Sequence, residues 1–237
     1  MPGLLVTATD TGVGKTAVAA SLIAAARAAG LDVGGMKPAE SGCARDASGA
    51  LLPADALLLQ AAAGGGDPLD LVCPWRLEAA LAPGIAAALE GVEVELDRIE
   101  SSYRQLAARH PGGVIVEGAG GLLVPLDPAF HTVADLALRL ELPVVVVARA
   151  SLGTINHTAL TVEALATRGI ECRGVILNAA SPDVENAAAG NARAIERLAD
   201  VPVLASLPWL GEMTPMQRVE RLAAELGRKL DLPRMLS

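Results

Sequence analysis

Leu4-Leu5-Val6-Thr7-Ala8-Thr9-Asp10-Thr11-Gly12-Val13-Gly14-Lys15-Thr16 decides how the rest of this chain reads. A short apolar run breaks into a loop of small residues, ends in Gly-Lys-Thr, and gives way to an Ala-rich segment of helical character, Ala17 to Ala29. Strand, loop and helix in that order are what a phosphate-binding P-loop requires. Backbone N–H groups of the loop and of the helix start converge on an anion. Lys15 adds a mobile positive charge, and the Thr16 hydroxyl stands where it can ligate Mg²⁺. The strict spacing G-x-x-x-x-G-K-[ST] is not met, because Thr9 holds its first Gly position, with Ala8 before it.

Outward from this stretch, strands and helices alternate. Gly30 ends the first helix and Leu31 to Met36 reads as a strand, followed by Lys37-Pro38-Ala39-Glu40-Ser41-Gly42. A polar loop from Cys43 to Pro53 precedes a helix over Ala56 to Ala63, broken by Gly64-Gly65-Gly66-Asp67-Pro68. Leu69 to Leu81 is ambiguous. Helices are expected over Pro83 to Leu89 and Leu96 to Arg109, the second with Leu96, Ile99, Tyr103 and Leu106 on one face. Val114-Ile115-Val116 is a buried-strand candidate ending in Glu117-Gly118-Ala119-Gly120-Gly121. Thr132 to Asp135 has the form of a capping box opening a helix to Leu140. Pro143 to Ala148 is a clear buried strand, and Ser151 to His157 leads into a helix to Arg168. A strand over Cys172 to Leu177 ends at Asn178, a helix runs from Val184 to Leu198, and Val203 to Leu207 is a strand leading to Pro208-Trp209-Leu210. A last amphipathic helix spans Met216 to Leu230. The strands lack in/out alternation, so both sheet faces should be covered. This predicts an α/β fold: a doubly wound, mostly parallel sheet with helices on both faces, P-loop NTPase-like, in one domain over residues 1–237.

The composition sets bounds on function. With 52% hydrophobic residues but 2% aromatics, the core must be built from Ala, Val, Leu and Ile. A formal charge of −8 argues against nucleic acid or an anionic membrane as a partner. Cys43, Cys73 and Cys172 are odd in number and scattered, as expected of reduced thiols in a cytoplasmic, soluble protein. No signal peptide and no membrane-spanning run is evident.

Four strand ends carry polar or Gly-rich sequence: the P-loop, Lys37 to Gly42, Glu117 to Gly121, and Asn178. In a parallel sheet these ends share one edge, so all four can converge on one ligand. Glu117 can hold Mg²⁺ directly or through water, or cap a helix. Lys37 can stabilise charge on a transferred phosphoryl group, or be a solvated lysine. Asp55 reads first as a helix N-terminal cap. His157 reads as structural, Cys43 has no base partner, and Trp209 either packs on an adenine or fills core.

With these pieces in place the chain resembles the dethiobiotin synthetases, ATP-dependent enzymes of biotin biosynthesis. The family loop G-T-D-T-x-V-G-K-T is matched by Ala8 to Thr16 apart from Ala8; K-P-x-x-[ST]-G by Lys37 to Gly42; V-E-G-A-G-G by Val116 to Gly121; and L-G-[TC]-[IL]-N-H by Leu152 to His157. The resemblance runs to about residue 212. It implies carboxylation of 7,8-diaminononanoate with CO2 or bicarbonate, and ATP-driven ring closure through a carbamate-phosphate anhydride. It also implies roles for residues. Lys15 and Lys37 would neutralise phosphoryl oxygens. Thr16, Asp55 and Glu117 would hold Mg²⁺. Gly12, Val13, Gly14, Ala17, Gly118, Ala119, Gly120, Asn178, Pro208, Trp209 and Leu210 would contact ATP. Thr11 and Ser41 would touch the diamine or its carbamate, and Gly153, Thr154 and Asn156 would receive the diamine's carboxylate across a homodimer interface. Gly12 stands where relatives often have an acid. Switch ATPases of the partition and septum-placing type carry a signature Lys where this chain has Asp10, which argues against that class.

Overall fold

A computed structural model of the chain describes residues 2–179 and 185–237. Its central sheet has six parallel strands in the order β10 (Val203–Leu207), β9 (Cys172–Asn178), β8 (Val144–Arg149), β1 (Gly3–Ala8), β7 (Gly113–Glu117), β2 (Val33–Met36). Every residue of β1 is buried, flanked by β7 in the register Val6↔Glu117 and by β8 in the register Ala8↔Val147. The chain steps outward from β1 to β2 on one side, then crosses from β7 over β1 to β8, β9 and β10 on the other. The reversal of strand order therefore falls at β1, where open α/β sheets bind ligands.

The apolar strands divide their side chains between two cores, which is why they show no simple alternation. Leu4, Val6 and Ala8 pack with Leu22 of α1 (Lys15–Ala28), Leu59 of α2 (Ala54–Ala62) and Leu226 of α9 (Pro215–Lys229). Leu5, Val144 and Val146 pack with Ile99 of α5 (Leu96–Arg109), Leu136 of α6 (Val133–Arg139), Leu165 of α7 (Thr154–Thr167) and Ile195 of α8 (Glu185–Ala199). The doubly wound arrangement is as expected. Ala8 is the last residue of β1 and its methyl is fully buried in the α1 cluster, so the departure from glycine fills core without asking the backbone for a turn.

Several local expectations meet the same fate for the same reason, local sequence acting locally. The Thr132–Asp135 capping box is present, and α5 spans the predicted residues. The helix expected from Val184 begins within the described residues at Glu185; Val184 itself lies outside them. Elsewhere the sequence was silent. The polar loop folds back as a hairpin of β4 (Ala44–Arg45) and β5 (Leu51–Leu52). The ambiguous stretch holds α3 (Leu69–Val72) and β6 (Trp75–Arg76), which pairs in parallel with β3 (Ala39–Glu40). Beyond the predicted last helix, α10 (Leu232–Leu236) adds Leu232, Met235 and Leu236 to the α1 side. Among the described residues, no helix is long and apolar enough to cross a membrane.

Candidate active site

The P-loop leaves β1 at Ala8 and enters α1 at Lys15 through Gly14, which has φ +92°. An L side chain is strained there, and a Cβ would stand 2.2 Å from Asn178 Nδ2. Only glycine lets the loop pass this close. Asn178, at the end of β9, donates from that nitrogen to Val13 O at 2.9 Å and so ties the loop to the far strand end. Asp10 accepts the Thr11 N–H at 2.7 Å and forms an ion pair with Arg149, at the end of β8. The position that carries a lysine in switch ATPases is thus an acid committed to an arginine of its own chain.

A cleft of about 400 Å³ opens over the loop, lined by Thr11, Gly12, Gly14, Lys15, Thr16, Lys37, Ala39, Glu40, Ser41, Asp55, Ala119 and Gly120. Glu117 does not line the cleft but lies fully buried against three residues that do, Lys15, Thr16 and Lys37. One of its oxygens, Oε1, receives the Thr16 hydroxyl at 2.9 Å and the Lys37 ammonium at 2.6 Å, with Lys15 Nζ at 3.7 Å. The other oxygen, Oε2, is buried with no partner among the described residues. Lys37 also donates to Asp55 Oδ2 at 2.8 Å. Burying a charge is costly unless it is paired, and each of these charges is paired within the cluster.

The electrostatics follow from burial and these pairs. Burial pushes the Lys15 ammonium below its ordinary range; Glu117 partly offsets this and Lys37 reinforces it. For Lys37, burial would lower the ammonium, but attraction to Glu117 and then to Asp55 outweighs it and holds it above the ordinary range. Burial would raise the Asp55 carboxyl, yet the neighbouring Lys37 keeps it below the usual carboxylate value. Lys37 therefore stands charged, and it meets Lys15 on one carboxylate beside the P-loop.

Most predicted site residues come together here. Lys37 is a buried, doubly paired cation, not a solvated lysine. Asp55 is corrected in one respect. It does not cap its helix: Pro53 stands at the N-cap, Asp55 lies in the first turn, and its carboxylate turns to Lys37. The cap is Glu40, which accepts the N–H groups of Asp55 and Ala56 at 2.9 Å each. Ser41 lines the cleft and donates to Leu81 O at 2.6 Å. Gly118 O lies 3.4 Å from Lys37 Nζ. Ala17 is half-buried in the first turn of α1.

Other predicted residues lie apart. Pro208, Trp209 and Leu210 follow β10 beside Asn178, with which Leu207 is in register, and do not line the cleft. Trp209 is half-buried, with the Arg218 guanidinium 5.5 Å from its ring centroid. Gly153, at φ +91°, starts α7 with Thr154 buried and Asn156 exposed, also outside the cleft. Cys43 is buried, and burial pushes its thiol up to about 11. His157 is exposed. Sequence reasoning missed Glu40 and Arg149. A lone acid inside the small-residue stretch Lys37 to Gly42 was the available signal for Glu40.

The sheet, the P-loop and the buried lysines that meet on one carboxylate define a P-loop protein of the NTPase-like α/β class. Solved structures share that fold: a chain of the MinC:MinD cell division protein complex of Aquifex aeolicus aligns with a TM-score of 0.58 at 15% identity, covering 100% of this chain and 96% of that chain. A ParA family ATPase from Chlorobium tepidum TLS aligns at 0.55 and 12%, covering 99% and 96%. Residues 2–217 match a family model described as an AAA domain. An ATP-dependent dethiobiotin synthetase BioD from Anaeromyxobacter dehalogenans (strain 2CP-C) is 53% identical over 230 residues, covering 97% of this chain and 99% of that protein. One from Thermodesulfovibrio yellowstonii is 41% identical over 218 residues, covering 89% and 90%. The chain belongs to the dethiobiotin synthetase family.

Proposed function

We propose that this chain is an ATP-dependent cyclo-ligase that makes dethiobiotin from 7,8-diaminononanoate, CO2 and ATP. One amine of the diamine captures CO2 as a carbamate. A carbamate oxygen attacks the γ-phosphorus of ATP and ADP leaves. The second amine then attacks the carbamate carbon, the ureido ring closes and phosphate departs. The reacting nucleophiles belong to the substrate, so the protein's task is to position groups and stabilise charge. The observation that carries the reading is that Lys15 and Lys37, which line a cleft walled by the P-loop, converge on the buried Glu117.

Lys15 and Lys37 supply the positive charge that the phosphoryl oxygens need as the transfer proceeds. The flexible stem of Lys37 lets Nζ exchange a carboxylate for a phosphoryl oxygen. The P-loop N–H groups from Gly12 to Ala17, together with Gly118, Ala119 and Gly120, surround the nucleotide phosphates. Asn178, Pro208, Trp209 and Leu210 sit together at neighbouring strand ends and suit a base beyond them. Thr11 and Ser41 face the cleft where the diamine would lie.

The residues present fit Mg²⁺. Glu117 Oε2 is a buried acceptor without a partner among the described residues, the Thr16 hydroxyl is 2.9 Å from Oε1, and Asp55 stands across Lys37. Oxygen donors of this kind suit a hard cation. Thr16, Asp55 and Glu117 would hold it, and when bound with ATP it would neutralise phosphate charge.

The chain would act as one folded unit over residues 1–237, since its sheet draws strands from Gly3 to Leu207. It would work as a homodimer in the cytoplasm, where three free thiols stay reduced. The test is phosphate release from ATP with and without each co-substrate, with dethiobiotin followed by mass spectrometry. Release should require both the diamine and bicarbonate. Vigorous release without the diamine would favour a switch ATPase and sink this reading.

A further inference from the structure

We propose that Glu40 is a positioning residue for this reaction: its carboxylate, by holding the N-terminus of α2, sets where Asp55 stands against Lys37 and Glu117. The proposal rests on the reading of Asp55 as a site residue. A helix start leaves backbone N–H groups without partners. Helix α2 has Pro53 at its N-cap and no side-chain cap of its own, and its Leu57 N–H already bonds Pro53 O. Glu40 takes two of the remaining donors, one with each oxygen: Asp55 N–H to Oε1 and Ala56 N–H to Oε2, both at 2.9 Å. The residue is 7% exposed.

The acceptor comes from outside the helix, from β3, 15 residues upstream of Asp55. That strand is itself fixed, since Ala39 and Glu40 pair with Trp75 and Arg76, and Leu77 N–H donates to Glu40 O at 2.8 Å. A local Ser, Thr or Asp would have capped α2 equally well if helix stability were all that mattered. The arrangement found does more. The N–H that Glu40 holds is Asp55's own, so it fixes the Cα from which the Asp55 carboxylate reaches Lys37. Lys37 lies three residues before Glu40 in the same stretch. One short segment therefore carries both the ammonium and the group that places its counter-charge, and the circuit Lys37, Asp55, Glu40 closes on itself.

The test is a double-mutant cycle on the full chain with Glu40→Gln, Asp55→Asn and both, reading kcat, the diamine KM, the Mg²⁺ concentration for half-maximal turnover, and the thermal midpoint. Glutamine is isosteric but offers one carbonyl, and its NH2 group meets a second N–H donor. Glu40→Gln should lower kcat about tenfold and raise the Mg²⁺ requirement, with the diamine KM held within about twofold, as displacement of a site group predicts. In the Asp55→Asn background the same change should cost less than about twofold, because its target is gone. Glu40→Asp, which keeps the carboxylate but is one methylene too short to reach both N–H groups, is taken through the same cycle and decides the matter if the Gln variant does not fold. Effects that multiply across the cycle, or a lowered thermal midpoint with kcat unchanged, would overturn the proposal. If Asp55→Asn alone changes neither turnover nor Mg²⁺ demand, the reading of Asp55 fails instead, and the proposal with it.

Discussion

At the scale of single residues, the site turns on Lys37. It is 4% exposed and joins two carboxylates, so Lys37→Ala removes two things at once. It removes charge from the transferred phosphoryl group, and turnover should vanish while ATP affinity, read by calorimetry, stays within about tenfold. It also leaves Glu117 buried without its closest cation. That should cost about 3–5 kcal/mol of stability in urea unfolding. A variant with full stability but no turnover would show that Lys37 is dispensable to the resting cluster; one with full turnover would remove it from the mechanism. Gly14 makes a separate claim. Its φ of +92° and the 2.2 Å approach of Asn178 Nδ2 to a would-be Cβ mean that Gly14→Ala must displace the loop. ATP binding should be lost, and Asn178→Ala added to it should not restore binding, because the backbone strain remains. Full rescue by the second change would show that the side-chain clash alone reserves the position for glycine.

Between elements, a second charged cluster joins parts of the chain far from the cleft. His110, at the end of α5, reaches Asp32 Oδ1 at 2.8 Å and Asp67 Oδ2 at 2.7 Å, while Arg27 of α1 bonds Asp32 and Arg109 bonds Asp67. This ties α1, the start of β2, the turn after α2 and the end of α5. The hydrogen bond from His110 outweighs burial and, with Arg27, holds the Asp32 carboxyl below its ordinary 3.8. A depressed carboxyl contributes stability above its unfolded value, and that contribution fades as pH falls through the folded one. Wild-type unfolding free energy should therefore fall below about pH 4, and Asp32→Asn should flatten that acid limb; equal slopes for the two proteins would refute the tie. The same contrast of near and far explains what the sequence revealed about the fold. The P-loop, the buried strands and the Thr132 capping box are local patterns, and each was legible. The β3–β6 pairing is a contact of two residues per strand between distant segments, with no periodicity to show it. Glu40 on α2 is non-local as well, so Asp55 read as its own cap although Pro53 holds that position.

For the whole molecule, the proposed site has parts that lie outside the cleft. The start of α7 does not line the cleft that holds Lys37, and Leu152 beside it is 99% exposed. The four motifs were legible in sequence because each sits at a strand end or helix start, but sequence alone could not say which of them meet within one protomer. A homodimer in which the Gly153 helix start of one protomer faced the cleft of its partner would account for that separation, since a helix N-terminus suits a substrate carboxylate. Subunit complementation distinguishes this from a site made within one chain. Lys37→Ala disables the cleft, and Asn156→Asp places a negative charge where the carboxylate would bind; each variant alone should have little turnover. Mixed in equal amounts after mild dissociation, half the dimers should be hybrids, and each hybrid should carry one site free of both changes. Turnover should return to about a quarter of wild type under random pairing of a two-fold dimer. A mixture that stays as inactive as its parents, in a sample shown by native mass spectrometry to contain hybrids, would place both residues in the site of a single protomer and exclude the shared arrangement.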